Sequence, residues 1–468
     1  MVRNRKVFKK TVSIVNEKST DMYESLVGDK KGFLLESYDK NYDRYTFFGM
    51  EPEEIVTSRG NALVITKADG TEEVREGNPL ERLKEYYSEF HIEKEDEELS
   101  FSGGLVGNLG YDFVRYSEVL PDNNPDEIGI ETIQMMLMTS FLMVDHVAET
   151  LTAVVLEEPS EEGREQAMEK AGQMIKKAME KKECKRNFYH DGKIIKKSDS
   201  IEEYGEKVEK IKHYIREGHM FQTVLSQRWT IETRQTGFEL YKELRELNPS
   251  PYLYYFNYGT FEVIGSSPEM IVKKQGNKVF TCPIAGTRKR GKDEAEDKRL
   301  RDELLSDEKE RAEHVMLVDL ARNDMGRISE FGTVKVTQFM EVQNYSHVMH
   351  IVSQVEGRKK GESHPLDLVA SFLPAGTLSG APKIRAMEII DELESVRRGL
   401  YGGATGYIDF GGDMDFCITI RTMVKKENEV YLQAGAGIVA DSVPENEYYE
   451  CCNKVMALAK TLVEEENL

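Results

Sequence analysis

Among the glutamate pairs with i, i+3 spacing in this 468-residue chain are Glu310 with Glu313 and Glu447 with Glu450. Each lies in a stretch of helical character, DEKERAEHVMLVDLARND and DSVPENEYYECCNKVMALAKTLVEEE, so each pair projects from one helix face. Taken alone, such a pair is ordinarily solvated surface. Four carboxylates facing one another would repel unless a divalent cation lay between them, and oxygen-only donors select Mg²⁺ over Zn²⁺. The second helix is expected to start with Asp441 or Ser442 as its cap and Pro444 in its first turn.

Other stretches combine turns with charge. PIAGTRKRG (Pro283–Gly291) sets Gly286 and Thr287 against three consecutive cations. LPAGTLSGAPKIRAME runs from a turn with Gly376 and Thr377 into a helix whose start is marked by Ser379-Gly380 and Pro382, where free backbone N–H groups can receive a carboxylate. YLQAGAGIVAD places Gly435 and Gly437 at period two in a strand pattern. That spacing fits close approach of a ligand to the backbone, and it equally fits a tight packing contact. Arg421 in CITIRT is expected in a buried apolar strand, where it needs a fixed anion, either a structural carboxylate or a substrate. His350 in EVQNYSHVMHIVSQV is either a structural histidine or a proton carrier facing a cavity.

The elements that must position these residues fall into two regions. Residues 1 to about 155 alternate short apolar runs (FLLESY, ALVIT, TIQMMLMTSFLMVD, TAVVL) with turn clusters, which predicts mostly sheet. Residues 157–187 are heavily charged, and EEGREQAMEKAGQMIKKAMEKKECKR within them is Pro-free, predicting an exposed helix followed by a linker near HDGKIIKKSD. This divides the chain into 1–187 and 195–468. In IEEYGEKVEKIKHYIREG, Ile201, Tyr204, Val208, Ile211 and Ile215 share one helical face, Gly218 suits a left-handed stop, and FQTVLSQRWTIE reads as a strand.

The length calls for two domains or one large composite sandwich. A net charge of −21 argues against nucleic acid or an anionic membrane as partner, so an anionic substrate must find a local cationic site. Five cysteines (Cys184, Cys282, Cys417, Cys451, Cys452) without metal-ligand spacing, an N-terminus lacking the apolar run of a signal peptide, and no apolar segment of roughly 18 residues predict a cytoplasmic protein.

Together PIAGTR, AEHVMLVDLARND, YSHVMH, AGTLSGAPKIRAME, YGGATGY, CITIRT and AGAGIVADSVPENEYYE, in this order, resemble the chorismate-utilising enzymes. Within them they resemble the aminating branch that includes the large components of anthranilate synthases. The resemblance runs from LLES at Leu34 to the final helix. It implies an α+β fold, a layered β-sandwich with helices on the outside, comprising an N-terminal regulatory region and a C-terminal catalytic region. Where the aminodeoxychorismate synthases carry a nucleophilic lysine this chain has Ala285, and where the isochorismate-forming enzymes carry a water-activating lysine it has Gln222. Both departures imply attack by ammonia itself.

The same resemblance implies that Glu310, Glu313, Glu447 and Glu450 surround Mg²⁺, with Glu313 and Glu450 as direct ligands. Gly286 and Thr287 would contact substrate. Tyr401, Arg421, Gly435, Ala436 and Gly437 would hold the enolpyruvyl carboxylate of chorismate, Thr377 would line that pocket, and His350 would transfer a proton to a departing group. Ammonia would come from a glutamine amidotransferase subunit, in a heterotetramer of two large and two small chains. No nucleophilic cysteine in a Gly-rich elbow occurs here. LLES and NPSPYLYYF resemble the halves of a tryptophan feedback site, implicating Glu36, Ser37, Asn248, Pro251, Tyr252 and Leu253. The rivals are an aminodeoxychorismate or isochorismate synthase, disfavoured by Ala285 and Gln222, and a catalytically idle tryptophan-binding subunit.

Overall fold

The computed structural model describes residues 2–15, 17–37, 44–93, 99–180, 190–344, 348–361 and 363–464. Cys184, the boundary at residue 187 and the Tyr345–His347 part of the histidine motif lie outside the described residues. Among the described residues two large sheets of 13 and 12 strands carry the architecture, and every pairing is antiparallel except that of Arg3–Ser13 with Phe90–Glu93. Both sheets draw strands from either side of residue 190. In the larger sheet, strand Gly32–Glu36 pairs with Tyr252–Asn257, with Glu36 opposite Leu253. In the smaller, Gly104–Leu109 pairs with Ala404–Asp409.

Alternation along the strands makes the layers. Phe33 points into a cluster between the sheets with Phe47, Phe141, Phe256 and Cys417, whereas Leu34 points outward to helices Ser19–Leu26 and Gly237–Leu247. The outer face of the smaller sheet is covered by Pro79–Tyr87, Glu308–Ile328 and Pro365–Phe372. The result is helices, sheet, sheet, helices: the α+β layered sandwich expected from the sequence. Burying each large apolar side chain in these layers contributes roughly 1.5–3 kcal/mol.

Three local expectations change. Helix Glu161–Ala178 is amphipathic rather than wholly exposed: Ala167, Ala171, Met174 and Ile175 are buried on the larger sheet. The stretch expected as a linker forms strand Lys193–Lys197, paired with Gln222–Glu232; it is an edge strand, and its lysines keep that edge solvated. Helix Ile201–Arg216 buries Tyr204, Val208 and Ile211 as its period predicts, and Gly218 follows at φ +80°.

The final helix, Pro444–Ala459, starts at Pro444 as its first residue, but Val443 rather than Asp441 or Ser442 stands at its cap. The Ser442 hydroxyl instead accepts from the Val439 N–H at 3.1 Å. Ser379-Gly380 also fails to open a helix. Gly380–Ala381 pairs with the start of strand Gln222–Glu232, and helix Lys383–Leu393 begins after Pro382.

Candidate active site and a second cavity

Strands Ile284–Lys289 and Val348–Arg358 bring the first functional residues together. Thr287 is opposite His350, and a bulge between Ala285 and Thr287 is centred on Gly286 at φ +67°. A Cβ at Gly286 would also lie 3.0 Å from Leu304 and 3.2 Å from Glu310 Oε2, so glycine is required by conformation and by space. His350 Nδ1 lies 3.0 Å from the Gly286 carbonyl and 3.0 Å from the Thr287 hydroxyl. A carbonyl only accepts, so Nδ1 carries the proton and Nε2 is the acceptor. Burial lowers the His350 pKa and Arg421 lowers it further, against the Gly286 hydrogen bond, so the ring is neutral at pH 7.

Glu269, in the GSSPEM segment, is a residue to which no motif assigns a role. It sits between strands Glu262–Ser267 and Met270–Gln275, and accepts from the Thr377 hydroxyl at 3.0 Å. Burial pushes its pKa up to about 7 despite the Thr377 hydrogen bond and the charges of Arg421 and Lys454. A carboxyl near neutrality can both hold and release a proton. The only sequence signal is one acid after Pro268 in a run of small residues, with no periodicity to mark it.

Arg421 is not in a buried strand. The chain leaves the smaller sheet at Ile418 and enters the larger at Thr422, and Arg421 occupies that corner at φ +49°. Its side chain is solvent-accessible, yet enough protein surrounds it that desolvation lowers its pKa, against the attraction of Glu269. The apolar letters of CITIRT mark a change of sheet rather than one continuous strand.

Gly435 and Gly437 lie on one face of strand Glu429–Ile438. A Cβ at Gly435 would come within 2.8 Å of Val224 and 2.9 Å of the Tyr401 hydroxyl; one at Gly437 would come within 2.6 Å of the Gln222 amide nitrogen. Both glycines therefore make room for side chains that the sequence already singled out. Ala436 faces the other way, into a core with Tyr204 and Leu225, so only its backbone is available to a ligand. Lys454 donates to the Gly435 carbonyl at 2.9 Å and pairs with Glu450 at 2.8 Å.

The two glutamate pairs lie within the first two turns of their helices, and the charge of Glu450 reaches Glu313 across the gap between them. Burial first, then the charges of Glu310 and Glu450, push the Glu313 pKa up; Glu447 is raised by burial and by Glu450, eased by Ser442 and Lys309. Glu310 is held by Arg288 at 3.1 Å. Among the described residues, no three acidic, His or Cys groups are gathered closely enough to hold a metal. The donor set nevertheless fits a hard cation: it is all oxygen, and Glu313 feels repulsion from both neighbouring carboxylates.

A separate cavity of about 530 Å³ opens between the two sheets. Ser37, Pro251, Tyr252 and Leu253 line it from the larger sheet, and Met270, Asp415 and Cys417 from the smaller. Ser37 and Ser100 line it, and among the described residues their buried hydroxyls have no hydrogen-bond partner. Tyr252 donates to Asp415 at 2.9 Å, and Lys273 holds the same carboxylate at 2.8 Å. Glu36 reaches the cavity edge, but its carboxylate turns to the outer face, where Ser19, Tyr241 at 2.5 Å and Arg245 at 2.8 Å donate to it. Asn248 is not among the lining residues; it ends helix Gly237–Leu247 and donates to the Ala457 carbonyl at 3.1 Å.

This layered sandwich, in which the charge of Arg421 reaches both the Glu269 carboxyl and the neutral His350, belongs to a defined class. The family model of the chorismate binding enzymes matches residues 32–460, and the chain is a member of that family. The anthranilate synthase component 1 of Acetivibrio thermocellus is 46% identical over 445 residues, covering 92% of this chain and 90% of that protein. That of Pseudomonas aeruginosa is 42% identical over 453 residues, covering 94% and 92%. The crystal structure of anthranilate synthase component I from Streptococcus pneumoniae superposes with a TM-score of 0.81 at 38% identity, covering 89% of this chain and 92% of that one. The menaquinone-specific isochorismate synthase of Escherichia coli shares the fold, with a TM-score of 0.73 at 17% identity over 99% of this chain and 95% of that one.

Proposed function

We infer that this chain converts chorismate and ammonia to anthranilate and pyruvate, the work of the large component of an anthranilate synthase. The observation that carries the reading is Glu269, a carboxyl near neutrality beside Arg421 and Thr377, in a chain aligned almost end to end with anthranilate synthase components. Ala285 and Gln222, at the positions where the resemblance puts the lysines of the non-anthranilate branches, leave ammonia as the nucleophile.

Two steps are required. Ammonia forms a C–N bond to the ring while both ring double bonds shift and the 4-hydroxyl leaves; Glu269 supplies the proton that lets it depart as water. A ring proton and the enolpyruvyl arm are then lost, giving the aromatic amine and pyruvate. His350, neutral with Nε2 as acceptor, suits proton acceptance in that second step better than the proton delivery expected from the sequence. Arg421, with Tyr401 and the Gly435 and Gly437 backbones, receives the enolpyruvyl carboxylate, and Gly286 and Thr287 border the ring. Glu313 and Glu450, supported by Glu310 and Glu447, would hold Mg²⁺, which supplies positive charge for the ring carboxylate beside these acids.

The regions 1–187 and 195–468 take regulatory and catalytic parts, joined through the sheets they share. Tryptophan occupies the cavity at Ser37, Pro251, Tyr252 and Leu253, where two orphan hydroxyls await a polar partner. The cavity also touches Ile284 and Val352, a register pair in the ladder that carries Thr287 and His350. Ligand there biases the geometry of the cleft. Ammonia comes from a separate glutamine amidotransferase chain in a cytoplasmic heterotetramer; among the described residues no helix is long and apolar enough to cross a membrane.

The test is anthranilate fluorescence from the purified chain with chorismate, Mg²⁺ and either ammonium or glutamine. Product with ammonium alone is expected; product from glutamine, or none from ammonium, would refute the assignment.

A further inference from the structure

Behind the carboxylate end of the cleft lies a fully buried ion pair that the mechanism above does not use. The Arg398 and Glu394 side chains are 1% and 2% exposed. They meet as a fork, Nε to Oε2 at 2.9 Å and Nη2 to Oε1 at 2.7 Å. The remaining guanidinium donors reach backbone: Nη1 to the Leu378 carbonyl at 2.5 Å and Nη2 to the Val224 carbonyl at 2.9 Å. Glu394 Oε1 in turn accepts from the Ser226 N–H at 2.8 Å and hydroxyl at 2.7 Å.

Each contact ends beside a residue assigned to substrate. Leu378 follows Thr377, Val224 pairs with Gly437, and Ser226 pairs with Gly435. The guanidinium carbon lies 5.5 Å from the Tyr401 ring centre and 4.6 Å from that of Tyr111. The Tyr401 hydroxyl occupies the space beside Gly435. Taking two charges out of water is costly, and a buried pair is weak evidence for stability, so its placement calls for another account.

We propose that Arg398, oriented by Glu394, is a positioning residue for the enolpyruvyl carboxylate, acting through the Tyr401 hydroxyl and the Thr377 turn. It ties the turn to strand Gln222–Glu232 and places a cation on the ring whose hydroxyl donates to the anion. That cation draws the Tyr401 pKa down against the rise caused by burial, which strengthens the hydroxyl as a donor. Lysine cannot substitute, because its compact ammonium cannot satisfy the fork and both carbonyls together.

The inference rests on the chorismate reading, and the wild-type assay separates the two: no anthranilate from wild type with ammonium removes both. Given wild-type turnover, Arg398→Lys is expected to raise KM for chorismate about tenfold or more with a smaller change in kcat. The effect should shrink in a Tyr401→Phe background, because the two residues act as one unit. Arg398→Met with Glu394→Leu removes both charges and leaves no orphan ion, so it tests stability apart from positioning. A folded double variant with raised KM and unchanged tryptophan affinity supports the assignment. Wild-type KM in that variant or in Arg398→Lys, or full additivity of Arg398→Lys with Tyr401→Phe, overturns it; if the double variant does not fold, the lysine cycle alone decides.

Discussion

The cleft around Glu269 and the cavity around Tyr252 are two faces of one wall. Pro268 and Met270 line the cavity, while Glu269 between them bonds Thr377 in the cleft. The cleft is dense in charge: burial and neighbouring charges shift the pKa values of Glu269, Arg421, Glu313 and Glu447. The cavity is mostly apolar, its Asp415 is already satisfied by Lys273 and Tyr252, and its unmet polar groups are two neutral hydroxyls. Such a difference suits the two sites to different work. A site full of interacting charges can hold and move protons, whereas a neutral pocket between sheets can bind a ligand and shift how the sheets sit without doing chemistry.

The comparison breaks most sharply at the glutamates. Glu313→Gln and Glu450→Gln are each expected to lower Mg²⁺-dependent turnover by about a hundredfold or more while leaving tryptophan binding intact, since an amide keeps volume but loses metal-binding charge. Turnover against Mg²⁺ concentration is the check, and wild-type behaviour at limiting Mg²⁺ would remove these residues from the site.

Next comes Glu269. Its pKa is raised from 4.5 to about 7, so the acid form persists towards neutrality and is lost as pH rises through that value. At constant free ammonia, kcat/KM of the wild type should therefore fall above about pH 7, and Glu269→Gln should lower it by roughly 10²–10⁴ and abolish this limb of the profile. An unchanged limb in the variant would assign the proton elsewhere. A smaller effect belongs to the cavity: Ser37→Phe fills it, and tryptophan affinity measured by calorimetry should drop at least about tenfold. Retained affinity would show that the ligand sits elsewhere.

Much of the cleft is legible in sequence because its parts carry local signals. A glycine forced to positive φ marks the Gly286 bulge, period-two glycines mark the strand beside Tyr401, and i, i+3 glutamates mark two helix faces. Two of the failures share one cause, the chain leaving a regular element. Arg421 lies where strands change sheet, so the apolar pattern around it does not mark a buried strand. Glu269 sits in a connection with no period, and its pKa comes from residues distant in sequence. The lysines of Lys193–Lys197 resemble a linker until strand Gln222–Glu232 pairs with them. Glu36 borders the cavity, but alternation along its strand turns the carboxylate to the opposite face from Ser37.

Coupling between the two sites is the claim on which the account stands. Calorimetric titration of tryptophan into the Mg²⁺-loaded chain, without ammonia, with and without saturating chorismate, measures it directly. Because linkage is reciprocal, chorismate should weaken tryptophan binding by the factor with which tryptophan weakens chorismate binding, about 5–150-fold for a coupling of roughly 1–3 kcal/mol. Identical tryptophan affinities with and without chorismate would contradict the account.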